Sequence, residues 1–110
     1  MSSVSFSSKS NNHKLYFSKS ELIKIFNCYS TGVSNGNWKD YAINFQVNEA
    51  VFAFYKHTLA SPDCILRKST KIKKNKTFFF LDTVKKKNSK YDNLDKLITT
   101  LKRYQLSVIK

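Results

Sequence analysis

Tyr41, Ile43, Phe45 and Val47 alternate with Asp40, Asn44 and Gln46, and this period of two marks a half-buried strand from about Asp40 to Val47. On a helix the same side chains would be spread around the axis, because helical faces repeat about every 3.6 residues. A turn signal, Asn35-Gly36-Asn37, and the single tryptophan, Trp38, stand immediately before the run. After Asn48-Glu49, short enough for a hairpin loop, Ala50, Phe52 and Phe54 alternate with Val51, Ala53 and Tyr55. Both sets are apolar, so this second strand, Ala50 to about His57, reads as central and covered on both sides, or as lying under a helix. An antiparallel hairpin with a heavy apolar load is therefore the constraint that any fold of this chain must meet.

The flanking sequence supplies what can cover it. Ser18 and Glu21 form a capping box, and Phe17 with Leu22 occupies the positions of a hydrophobic staple. Leu22, Ile25, Phe26, Tyr29 and Val33 then share one helical face, which predicts a helix of about 12 to 15 residues. Its exit falls among Gly32, Ser34, Asn35 and Gly36, where glycine supplies left-handed backbone. At the other end Leu94, Leu97, Ile98, Leu101 and Tyr104 form a second stripe, with Asp92 as the expected N-cap and Asp95 behind it. Between them Ser61-Pro62-Asp63 breaks the second strand, Cys64 to Lys68 forms a third, Lys71 to Lys76 a basic loop, and Thr77 to Asp82 a fourth. Val84 to Lys87 is expected to add a weak edge strand. The reading is an α+β domain: an antiparallel sheet of four to five short strands bracketed by an N-terminal and a C-terminal amphipathic helix. Residues 1–14 are Ser- and Asn-rich and predict a disordered tail, leaving 15–110 as one domain.

Nine Phe, six Tyr and one Trp in 110 residues bury enough area to stabilise a small domain without a disulfide or a metal. Nothing at the N-terminus reads as a signal peptide and no apolar run approaches a membrane span. The expected setting is a reducing cytoplasm, with Cys28 and Cys64 free. A net charge of +13 attracts phosphate backbones and anionic surfaces. However, only Arg67 and Arg103 among the 20 basic residues are arginine, and the abundance of Lys, Asn, Ile and Phe is what an AT-rich genome imposes through its codons. Lysine is also the weaker sign of bidentate phosphate or base recognition.

Chemistry-bearing patterns are sparse. His13, Cys28, His57 and Cys64 have no close paired spacing, so no metal site is assigned. His57 and Cys64 would make a dyad only if they faced each other across the turn at Pro62, and no glycine-rich loop offers an oxyanion site. Gly32 and Gly36 fit no phosphate-cradling pattern, so no catalytic residue and no cofactor are assigned. Trp38, Lys39, Asp40 and Tyr41 form a candidate interface, provided that the Trp38 ring is exposed; a covered ring is a plug for the end of the core. Arg67, Lys68, Lys71, Lys73, Lys74 and Lys76, with Lys85, Lys86, Lys87 and Lys90, are candidate nucleic-acid contacts. They occupy opposite rims of the sheet unless the chain after Val84 folds back and merges them into one basic edge. Lysines on edge strands also serve to block sheet-to-sheet aggregation. Phe78, Phe79 and Phe80 must divide between two faces, and an exposed ring beside lysines resembles a surface for stacking single-stranded bases.

Glu21-Leu22, Ile25, Tyr29, Gly36-Asn37-Trp38-Lys39-Asp40-Tyr41-Ala42-Ile43, Ala50-Val51-Phe52, Pro62 and Ile65 together resemble a family of small bacterial proteins, domain-of-unknown-function family 2794. The resemblance runs from about Phe17 to Leu106 and weakens after Lys71. It implies a single cytoplasmic α+β domain and carries over no activity and no site residue. The expected function is non-catalytic: a binding or adaptor module with a protein partner, then a nucleic-acid binder, with a Cys-dependent enzyme last.

Overall fold

The computed structural model of the chain describes residues 14–58, 60–71 and 76–108. The expected tail lies outside these apart from Lys14, which bridges to Val47 at the end of the sheet. Helix α1 spans Lys19–Ser34, and Ser18 starts it as the sequence predicts. Ser18 Oγ accepts from the Glu21 N–H at 3.1 Å and Glu21 Oε1 accepts from the Ser18 N–H at 2.7 Å, a complete capping box. Strands β1 (Asp40–Gln46), β2 (Glu49–Tyr55), β3 (Cys64–Lys71), β4 (Lys76–Thr83) and β5 (Ser89–Tyr91) follow, and α2 spans Leu94–Val108. The strands pair in chain order and every neighbour is antiparallel, so the sheet is a simple meander.

Three local expectations need correction. Gln46 pairs with Glu49, so the hairpin loop is Val47-Asn48, one residue earlier than read, and Asn48 takes the left-handed conformation at φ 66°. Val84 to Lys87 is a turn: the Thr83 N–H donates to the Lys86 carbonyl at 2.8 Å and Thr83 Oγ accepts from the Lys86 N–H at 3.1 Å. The edge strand begins only at Ser89, after Asn88 has reversed the chain at φ 54°. Asn93, not Asp92, caps α2, its Oδ1 accepting from the Lys96 N–H at 2.9 Å.

The meander has two chemically different faces. Pairing puts Tyr41, Ile43 and Phe45, then Phe54, Phe52 and Ala50, Cys64, Leu66 and Lys68, and Thr83, Leu81 and Phe79 on one side. Both helices lie there. Phe26 of α1 meets Tyr41 and Phe52 edge-on, and Ile25 and Cys28 join Leu94, Leu97, Ile98 and Leu101 of α2 in one buried cluster with the strands. The opposite side carries Ala42, Val51, Ala53, Ile65, Arg67, Phe78, Phe80 and Lys90, and no helix covers it among the described residues. The doubly apolar β2 is thus under helices on one face only.

Candidate binding surface

Trp38 sits where α1 gives way to β1. Gly36, at φ 80°, turns the chain out of the helix, and the indole swings back beneath α1 with only 1% of its surface exposed. Its ring stacks parallel to Tyr29 and lies 4.4 Å, centroid to centroid, from Phe54. Gly32 is part of the same contact: a Cβ there would stand 2.2 Å from Trp38 Cε3, so this glycine serves close packing and not the helix exit. The indole N–H donates to Asp63 Oδ2 at 3.0 Å. Asp63 also accepts from the Tyr104 hydroxyl at 3.0 Å and the Cys64 thiol at 3.6 Å, with Lys56 Nζ 4.0 Å away. One buried carboxylate therefore ties together the α1–β1 corner, the β2–β3 connection and α2. Nothing in the spacing of these residues foretold this hub.

The covered ring makes Trp38 a plug, which corrects the interface-anchor reading for that residue. Lys39 and Tyr41 are exposed and Asp40 is half-buried, but the Tyr41 ring leans on Phe26 and Tyr29, 5.1 Å from each. The thiols are sealed in the same interior. Burial pushes Cys28 up to about 11, with Lys102 and Gln105 opposing weakly. Burial, then the neighbouring Asp63 carboxylate, also raises Cys64. A buried, protonated thiol is a poor nucleophile at neutral pH, and His57 is exposed, so the pair does not form the dyad that its spacing allowed. Among the described residues no group of three or more His, Cys, Asp or Glu side chains could hold a metal ion, and no helix is long and apolar enough to cross a membrane.

The basic candidates separate by strand parity. Lys68 shares the covered face with Cys64 and Leu66, and its side chain, 12% exposed, donates to Glu21 Oε1 at 2.8 Å and to the Tyr16 carbonyl at 2.9 Å. It is an internal cation and not a surface contact, and its place two residues after Leu66 on an alternating strand was the available signal. Beside it opens a cleft of about 340 Å³ between the N-terminal ends of the helices, where the other cation, Lys24, is held by Asp95 at 2.8 Å. Lys73 and Lys74 lie outside the described residues, and Lys71 pairs with Lys76 at the end of the β3–β4 hairpin. Lys85, Lys86 and Lys87 are exposed in the turn at the opposite end.

The helix-free face gathers the rest. Asn44, Val51, Arg67, Phe80 and Lys90 form one row across all five strands, with Gln46, Glu49, Ser69 and Phe78 in the next. The Arg67 guanidinium lies over the Phe80 ring at 5.2 Å. Glu49 and Asp82 flank it at 3.6 Å, and Asn88 accepts a further hydrogen bond from it. Lys90 Nζ lies 4.0 Å and Lys76 Nζ 5.4 Å from the centre of the Phe78 ring. Neither lysine makes an ion pair among the described residues. So the fold back at β5 brings Lys90 to Lys76, while Lys85 to Lys87 stay on the far rim.

These features define a two-layer α+β domain, with helices on one face of an antiparallel meander and a mixed aromatic and cationic surface on the other. The chain belongs to the family described as "Protein of unknown function (DUF2794)", whose model matches residues 15–96. The match includes the Trp38 segment, continues through the Lys-rich stretch after Lys71, and stops in the first turn of α2, short of Leu106. No curated protein and no solved structure matches the chain.

Proposed function

We propose that this protein is a non-catalytic binding domain whose working surface is the helix-free face of the sheet. The observation that carries this reading is the apolar character of that face. Val51, Tyr55, Ile65 and Phe80 are only half-buried there, with buried Ala53 between Val51 and Tyr55 and buried Phe78 beside Phe80, although no described helix packs on it. An antiparallel sheet with one solvated face ordinarily alternates apolar with polar residues; β1 does so, but β2 and the Phe78–Leu81 run of β4 are apolar on both faces. A partly exposed apolar surface rimmed by charge is a mark of attachment to a partner. Catalysis is the weaker reading because both thiols are buried and protonated.

The test is retention of partners from the native cell on immobilised protein, with and without nuclease, comparing Ser69→Glu, on the open face of the central strand opposite Phe78, with Ser30→Glu on the outer surface of α1. Retention should fall with Ser69→Glu and survive Ser30→Glu. Equal retention by the two variants removes the sheet face as the working surface.

A further inference from the structure

Two lysines that share one aromatic ring are an unusual use of positive charge. Lys76 and Lys90 come from neighbouring strands, β4 and β5, and both place their ammonium groups over Phe78, whose own surface is reduced to 7% exposure. A ring attracts a cation by its quadrupole but leaves the full charge in place. Five of the chain's seven carboxylates, Glu21, Glu49, Asp63, Asp82 and Asp95, already hold other cations. Among the described residues the Phe78 site is therefore a pair of positive charges without a carboxylate partner. Next to it, Arg67 is neutralised but oriented: Phe80 below it and Glu49, Asp82 and Asn88 around it hold its plane. Guanidinium planes, like aromatic rings, accept stacked bases.

Phe78 and Phe80 are two residues apart on one strand face, about 7 Å, so the cation pair and the planar group stand side by side. Adjacent sites for a phosphate and for a flat base are the combination that single-stranded nucleic acid requires. Resting on the open-face reading, the geometry points to single-stranded RNA or DNA as the ligand of this surface. Lys76 and Lys90 contact the phosphates, and Arg67 with Phe80 provides the stacking plane. An acidic protein segment would satisfy the lysines but leave the Arg67 plane without a partner.

The experiment is fluorescence anisotropy with labelled mixed-sequence RNA and DNA single strands of about 16 nucleotides, the upper range for one small sheet surface. The corresponding duplex and polyglutamate serve as competitors, and the titration is repeated between about 50 and 200 mM salt. The double variant Lys76→Gln/Lys90→Gln should lose about 10-fold in affinity and about 1.4 in the slope of log affinity against log salt, two contacts at about 0.7 each. The charge-matched variant Lys96→Gln/Lys102→Gln, on exposed positions of α2, should lose less than about 2-fold if the contact is local. Phe78→Leu keeps an apolar side chain and removes the ring, and should weaken binding in the same direction.

Equal losses in the two double variants overturn the site, because the attraction is then diffuse. So does absence of binding, or competition by polyglutamate or duplex as strong as by the single strand. A negative result here alongside Ser69-dependent retention from cells rejects nucleic acid and leaves the open-face reading standing; failure of both rejects the face itself.

Discussion

Arg67 and Lys68 are neighbours in sequence and live in different environments, and the same is true of Phe79 and the two phenylalanines beside it. Lys68 and Phe79 point under the helices, where the cation has a dedicated carboxylate 2.8 Å away and the ring belongs to the core. Arg67, Phe78 and Phe80 point away from them, where rings carry cations instead of core contacts. On the covered face, charge is neutralised because exclusion of water makes an unpaired group costly. The open face tolerates unpaired lysines because water still reaches them. The lesson is that composition cannot assign these residues a role, and strand parity can.

The largest effect should separate the two faces of β2 by adjacent substitutions. Phe52, fully buried, should cost about 3 to 5 kcal/mol when changed to Ala, while half-buried Val51 should cost about 1 kcal/mol or less. Urea unfolding of the two variants measures both. Comparable losses would break the comparison, since Val51 would then have to be covered in solution. Next is Gly32→Ala, whose new methyl would have to displace the Trp38 ring from a 2.2 Å contact. Overpacking of this kind costs roughly 1 to 3 kcal/mol. Trp38 fluorescence should shift to the red with it, because the ring leaves its buried position. No equivalent clash awaits a methyl at Gly36, where nothing lies within 4 Å and only the left-handed backbone resists.

Alkaline pH should also act on the covered face. In the unfolded chain a thiol loses its proton near its ordinary value of 9.0, but the buried Cys28 holds it to about 11. Between these values the native state binds more protons than the unfolded one, so stability is intact below pH 9.0 and falls as pH rises toward about 11. Cys64 and Tyr104 shift in the same direction, mainly through burial, and should extend the decline. Unfolding midpoints measured across this range should fall less steeply for Cys28→Ala. An equally steep fall would place the responsible groups elsewhere.

Much of this architecture is legible in the residues, and what escapes has physical causes. Both helices, the Ser18 box and the first four strands follow from periodicity and caps, which are local. The choice of Asn93 over Asp92 as cap, or of Val47-Asn48 over Asn48-Glu49 as loop, depends on one residue of register that polar neighbours on both sides leave ambiguous. The turn at Val84 to Lys87 reads as a strand only if the Thr83 side chain, which closes it, is ignored. The Asp63 hub escapes altogether, since its donors Trp38 and Tyr104 come from 25 and 41 residues away. Of the candidate surface, the basic residues are visible as a set, but their division between faces appears only once β3 and β4 are known to alternate without a bulge from Cys64 and to Thr83.

The smallest predicted effect tests that division directly. Lys68→Met removes the cation from Glu21, whose side chain is 20% exposed and also closes the α1 cap, so the loss should be about 1 to 2 kcal/mol. Lys76→Met removes a cation that has no carboxylate partner among the described residues and whose side chain is exposed, so the change should stay within about 0.5 kcal/mol. The two substitutions are chemically identical and differ only in the face on which they fall. Salt sharpens the contrast: screening should narrow the Lys68 effect only slightly, because the pair is shielded from solvent. If instead Lys76→Met proves the more destabilising, its ammonium is part of the fold, and the open face is a structural layer before it is a binding surface.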